Sequence, residues 1–194
     1  MAAGRAAACG ASVTLLEKMP RLGLKLGITG KGRCNVTNIG TINDYVANFS
    51  PDGRFLINAL NRFFHHDLTG FLDAWGVPTV VERGQRVFPA SNRALDVVSA
   101  LLRFTKKHGV FIIKDCAVKH IRMENNRLVG LDTSRGYFAA DRVILATGGA
   151  SYPQTGSTGD GFRVAQELGH TIAPIRPYLV PLLIKEPYVK ELQG

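Results

Sequence analysis

An apolar strand that ends in an acid, with a basic glycine-punctuated loop directly behind it, constrains this chain more than any other feature. The strand covers residues 12–16 and the acid is Glu17. After it, Lys18, Arg21, Lys25, Lys31 and Arg33 are set among Gly23, Gly27, Gly30 and Gly32. A carboxylate at the end of such a strand is what a dinucleotide site uses to hold a pair of ribose hydroxyls. Cationic, glycine-rich backbone beside it suits a pyrophosphate or ring carbonyl oxygens. Together the two elements suggest a bound dinucleotide more strongly than either does alone.

The remaining segments supply a frame for such a site. Residues 2–9 read as an alanine-rich helix closed by Gly10. Residues 19–38 read as loop throughout, and 40–50 as polar and irregular. Apolar residues recur at helical spacing in 53–64 and 67–75, and Gly76 stops the second of these helices. Residues 79–82 and 85–88 read as a strand pair around Arg83-Gly84. Ser91 is placed to cap a long helix over 92–108, ended by Gly109. Strands come next at 110–114, 117–124 and 127–132, the last two joined by Asn125-Asn126, with a further short strand at 137–140. Residues 142–146 read as a buried strand ending in Thr147-Gly148-Gly149, and a glycine-rich loop then leads to a helix over 160–168. Four prolines from Pro174 to Pro187 mark extended chain leaving the domain. Alternating helix and strand, a central meander and a second strand–loop–helix unit imply a doubly wound α/β sheet with an antiparallel insertion.

Composition narrows the alternatives. Hydrophobic residues form 45% of 194, which supports a packed core and argues against disorder. No apolar run reaches bilayer length, and the first ten residues lack the basic start and long apolar stretch of a secretory signal. Cys9, Cys34 and Cys116 form no C-x-x-C pair, so a reducing cytoplasm without a disulfide framework or zinc site is expected. The histidines show no metal-ligand spacing, and no Ser-His-Asp or paired-carboxylate arrangement stands out. A net charge of +9 favours anionic partners. Gly30-Lys31-Gly32-Arg33 is not a Walker loop, because no Ser/Thr follows the lysine. It has the outline of the G-x-x-G clamp of KH modules, but it comes after a strand and an acid rather than joining two helices. A basic nucleic-acid-binding module is therefore the rival from another class, disfavoured by the lack of interleaved exposed aromatics.

In a dinucleotide-binding unit the glycine fingerprint lies between the first strand and its helix, and the ribose acid comes about 20 residues later. Counting back from Glu17 puts the fingerprint ahead of Met1. Residues 2–9 are thus expected to be the tail of the helix behind that fingerprint, with the opening strand and phosphate loop absent. Losing about four or five buried apolar side chains at roughly 1.5–3 kcal/mol each compares with a whole domain's ~5–15 kcal/mol. The chain alone is expected to be unstable or to hold its dinucleotide weakly. At the other end, residues 179–184 read as a strand heading into a further domain. The expected division is a partial dinucleotide domain over 1–175 and the start of a connection over 176–194. An inert fragment is the remaining rival.

Four strings carry a resemblance: Ser12 to Lys18, Gly30 to Asn38, Ala146-Thr147-Gly148-Gly149, and Thr158-Gly159-Asp160-Gly161. In that order they resemble the YhiN-like flavoproteins, the BaiN/RdsA-type or aminoacetone-oxidase-type NAD(P)/FAD-dependent oxidoreductases. The resemblance covers essentially the whole chain, and Gly30 to Asn38 is its most specific part. It implies FAD, a Rossmann-like (glutathione-reductase-type) α/β FAD-binding domain incomplete at both ends, and a fragment of an FAD-dependent oxidoreductase acting on a small-molecule substrate. NAD(P)H as electron donor is implied by the resemblance alone.

On this reading Glu17 accepts from the adenosine ribose, and Lys18 lies at the adenine end. Arg21, Lys25 and Arg33 neutralise phosphates or an anionic flavin. Each of these cations alone is more often a surface charge; as a group in a glycine loop they favour ligand contact. Thr29, Gly30, Gly32 and Asn35 allow close backbone approach. Cys34 sits beside Arg33, which would lower its pKa, although a small packing residue is the plainer reading. The Val118 backbone is a candidate to pair with adenine, as in related flavoproteins. Thr147, Gly148 and Gly149 end a strand where α/β sheets bind ligands; a tight turn would want the same glycines. Gly159 and Asp160 precede a helix, where Asp160 can cap it while lining the cleft. No catalytic acid or base stands out.

Overall fold

The computed structural model describes residues 1–49 and 52–176. In chain order it contains α1 (Ala2–Ala8), β1 (Thr14–Leu16), α2 (Leu24–Ile28), β2 (Thr37–Asn38), α3 (Ile42–Asn48), α4 (Ile57–Arg62) and α5 (His65–Ala74). Next come β3 (Thr79–Glu82), β4 (Arg86–Pro89), α6 (Ala94–Lys107), β5 (Phe111–Ile113), β6 (Val118–Glu124), β7 (Arg127–Thr133), β8 (Gly136–Ala139) and α7 (Asp160–Glu167). Short 3-10 turns lie at Gly53–Leu56, Arg83–Gln85 and Pro153–Thr155.

β1 and β5 run parallel, with Leu15 opposite Ile112. A parallel pair needs a crossover between its strands, and α6 is the helix that leads into β5. The amphipathic α6 buries Ala94, Val97, Ala100 and Phe104. Three of these join Cys34, Leu72 and Val77 in the core cluster, with Leu26, Leu68, Phe71 and Trp75 packed around it. The rings of Phe71 and Trp75 meet Phe104 edge-on at 5.0 and 5.4 Å. On the other side α1 lies close to α6 because Gly4 has no side chain: a Cβ there would come within 2.5 Å of the Phe104 ring.

Two antiparallel sheets complete the fold. β2, β4 and β3 form one, in that order. The meander β6-β7-β8 forms the other, as expected, and its first turn sets Asn125 and Asn126 at φ 48° and 60°, the conformation a two-residue hairpin turn requires.

Several expectations are corrected. The segment read as irregular contains α3, held by a capping box: the Asp44 N–H donates to Thr41 Oγ1 at 3.2 Å and the Thr41 N–H to Asp44 Oδ2 at 2.7 Å. The loop over 19–38 contains α2 and β2. Ser91 is not the cap of α6; Arg93 takes that place, and Ser91 Oγ accepts the Arg93 N–H at 3.4 Å. Residues 142–146 are not a buried strand. They join no ladder, and Ile144 and Leu145 are 62% and 44% exposed. A strand is held by its neighbour's hydrogen bonds, and among the described residues β1 pairs with β5 alone. The strand expected at 179–184 lies outside the described residues.

Candidate functional site

Glu17 extends the parallel ladder by one residue. Its N–H donates to Ile113 O at 2.9 Å, and its carbonyl accepts from the Cys116 N–H at 2.9 Å. The half-buried carboxylate then folds back onto the turn, with Oε1 accepting the Met19 N–H at 2.9 Å. That bond fixes the rotamer and leaves acceptor capacity on the carboxylate.

Two lysines tie this turn to the glycine-rich return loop far along the chain. Lys18 Nζ donates to Thr158 Oγ1 at 2.5 Å and to Asp160 Oδ2 at 2.6 Å. Lys25, on α2, donates from Nζ to Ser151 Oγ at 2.7 Å. Packing is close here: a Cβ on Gly156 would lie 2.8 Å from Met19, and one on Gly161 would lie 2.3 Å from Thr147 Oγ1. The Lys18 ammonium bonded to Asp160 holds its carboxyl below the usual aspartate range, with Thr158 adding to the effect and partial burial opposing it. Asp160 is the first residue of α7 rather than its cap; Gly159 takes the cap position at φ 82°.

Beside this clasp lies a groove of about 460 Å³, lined by Lys18, Ala117, Val118, Lys119, His120, Asp160 and Arg163. Its volume falls within the roughly 300–1,000 Å³ of small-molecule sites. One wall is braced by Glu167, which accepts from Arg163 Nη1 at 2.6 Å and meets His120 Nδ1 at 3.1 Å. Those partners, His120 foremost, hold the Glu167 carboxyl below its ordinary range.

The turn after α2 forms a second unit. Gly30, Lys31, Gly32 and Cys34 all have positive φ, between 57° and 85°. The turn uses its own N–H groups to close on itself: the Gly32 N–H donates to Ile28 O at 3.3 Å and the Arg33 N–H to Gly30 O at 3.2 Å. For Lys31 and Cys34 the left-handed backbone costs on the order of 1 kcal/mol each. The surroundings hold it in place: the Cys34 N–H donates to Thr29 O at 2.8 Å, the Ala94 N–H to Gly32 O at 2.8 Å, and the Val36 N–H to Val87 O at 2.9 Å. Thr29 Oγ1 bonds back to Lys25 O at 2.9 Å. The Asn35 amide, set to satisfy both neighbours, donates to Val87 O and Thr37 O at 3.2 and 3.0 Å.

Arg33 forms an ion pair with Glu82, donates from Nε to Asn92 Oδ1 at 2.7 Å, and lies 4.2 Å above the centre of the Phe88 ring. The Cys34 thiol is buried in the core and burial pushes its pKa up, which is the environment of a packing residue rather than an activated thiolate.

The structure thus groups the expected residues in two places. Lys18, Val118 and Asp160 share the groove, and Thr147, Gly148, Gly149 and Gly159 belong to the loop that Lys18 and Lys25 clasp. Thr29, Gly30, Gly32, Arg33, Cys34 and Asn35 form the turn on the small sheet and α6. Arg21 is exposed on the connection between the two. Sequence reasoning placed Thr158 in a string without giving it a role, and missed Ser151, Glu82, Asn92 and the His120–Arg163–Glu167 group. Only Thr158, a hydroxyl two residues before Asp160, carries a local signal.

The HI0933-like protein Rossmann domain matches residues 1–176. The 3-dehydro-bile acid delta(4,6)-reductase of Clostridium scindens is 34% identical over 182 residues, covering 93% of this chain and 43% of the reductase. The ribosomal RNA dihydrouridine synthase of Escherichia coli is 27% identical over 187 residues, 95% of this chain and 45% of the synthase. The chain therefore spans less than half the length of these relatives. Thermovibrio ammonificans THI4 has a similar fold, with a TM-score of 0.52 at 14% identity over 88% of this chain and 58% of that one.

Proposed function

The chain belongs to the HI0933-like Rossmann-domain family, and from that membership we propose that it forms the FAD-binding part of an oxidoreductase. One observation carries the reading: at the carboxyl end of β1, Glu17, Lys18, the 147–160 loop and the start of α7 converge beside an open groove. That is where α/β sheets place their ligands.

The residues present fit an adenine–flavin dinucleotide. Glu17 keeps acceptor capacity for ribose hydroxyls. The groove along Val118 suits the adenine, whose edge would meet the strand backbone. Open space next to Gly32 and Gly149, where a Cβ would have no neighbour within 4 Å, allows a ligand to approach the backbone. Bound FAD would supply the hydride or electron transfer. The chain's own residues bind and orient the cofactor, and Lys18 and Lys25 keep the return loop closed on it. We assign a reduced nicotinamide as electron donor, a small molecule as substrate and the cytoplasm as location; one relative's name is that of a reductase.

The test is a visible spectrum. Protein expressed from the whole reading frame that carries this domain, purified with added FAD and freed of excess by gel filtration, retains a flavin band, and NADH or NADPH bleaches it. A colourless protein that takes up no FAD defeats the reading. Net charge +9 and the name of the Escherichia coli relative favour a second reading, in which the oxidoreductase acts on RNA. An RNA gel shift that weakens steeply with salt would favour it.

A further inference from the structure

We propose that Arg33 is a positioning residue: it holds the turn over 29–34 in its ligand-facing shape through Glu82, Asn92 and Phe88, and does not itself touch the dinucleotide. This rests on reading the turn as part of the dinucleotide site.

Three observations carry it. First, the guanidinium is engaged on one face and one edge. Its Cζ lies over the Phe88 ring, Nε is bonded to Asn92, and Nη2 is paired with Glu82. A guanidinium already neutralised by a carboxylate adds little net charge for a phosphate. Second, its partners stand on rigid elements. Glu82 ends β3, Phe88 is a buried residue of β4, and Asn92, itself at φ 56°, leads into α6. A single side chain therefore gathers two strands and the start of a helix onto one turn. Third, the turn needs holding. Lys31 and Cys34 sit in left-handed backbone on either side of Arg33; the backbone bonds within the turn, Arg33 N–H to Gly30 O and Cys34 N–H to Thr29 O, are local, and those that tie it to the rest of the fold are Gly32 O on the Ala94 N–H and the Val36 N–H on Val87 O. Residues in such conformations persist only where the surroundings over-determine them.

Glu82 separates positioning from contact by the sign of its effect. If Arg33 touched a phosphate, removing Glu82 would free its charge and leave FAD binding unchanged or tighter. If Arg33 positions the turn, losing Glu82 weakens binding as losing Arg33 does. The experiment compares wild type, Arg33→Ala, Arg33→Lys, Glu82→Ala and the Arg33→Ala/Glu82→Ala double variant, each expressed from the whole reading frame that carries this domain. FAD affinity is read by flavin fluorescence, and amide hydrogen exchange is read over residues 29–36.

We expect about tenfold weaker FAD binding in each alanine variant, no further loss in the double variant, an intermediate Arg33→Lys, and about tenfold faster exchange in the turn. Unchanged or tighter binding by Glu82→Ala overturns the proposal, and so does turn exchange equal to wild type. If wild type itself takes up no FAD, the dinucleotide reading fails; the exchange arm then still decides whether Arg33 holds the turn.

Discussion

Converting Asp160 to asparagine removes one charge from the clasp and changes almost nothing in shape. Lys18 Nζ and Asp160 Oδ2 are 2.6 Å apart and their side chains are 24% and 36% exposed. At an effective dielectric of about 20, that separation gives a gross attraction of roughly 6 kcal/mol. Most of it is offset by desolvation, side-chain ordering and screening, so that exposed pairs retain only about 0.2–1 kcal/mol. Partial burial and the third partner, Thr158, place this pair at the upper end, at about 1 kcal/mol. A double-mutant cycle of Lys18→Met and Asp160→Asn, read by urea unfolding, should report a coupling of about that size. Asp160→Asn alone should lower Tm by about 2–4 °C, the shift expected of 1 kcal/mol in a protein this long.

The pH dependence has a fixed sign. Asp160 titrates below its ordinary range in the folded state. Its contribution is therefore complete above the unfolded aspartate pKa and is lost as pH falls through the lowered folded pKa. The stability gap between wild type and Asp160→Asn should close in acid. Strictly additive single variants, or a gap that persists undiminished below both pKa values, would refute the reasoning.

Three other perturbations probe the site and its supports. Glu17→Gln keeps size but removes the ribose-holding charge; titration should show FAD binding at least about tenfold weaker with the urea midpoint nearly unchanged. Gly161→Ala puts a Cβ within 2.3 Å of Thr147 Oγ1. Turning the Thr147 hydroxyl out of the way should cost about 0.5–1.5 kcal/mol in unfolding experiments, and an unchanged midpoint would contradict the packing described. Thr41→Ala deletes half of the capping box on α3; a loss of about 1 kcal/mol in chemical denaturation is expected.

Local signals make much of the frame legible. The periodicity of α5 and α6, the Asn125-Asn126 turn and the glycines after α5 and α6 act over a few residues, and the chain shows them directly. The short α3 escapes a reading by periodicity although Thr41 and Asp44 carry a capping signature; its polar surroundings and short length hide it. The strand expected at 142–146 shows the opposite error. Its apolar residues satisfy a strand pattern, but a strand also needs a paired neighbour, and that is a property of the sheet.

By itself, the sequence determined the four strings that carry the resemblance, Gly30 to Asn38 the most specific of them, the acid at the end of β1 and the basic, glycine-rich character of the loop behind it. Tertiary structure decided which of those charges meet which partners. Arg33 reaches Glu82 across 49 positions and Lys18 reaches Asp160 across 142. Hydrogen bonds and ion pairs act over a few ångströms of space, so no local pattern in the chain records who closes on whom.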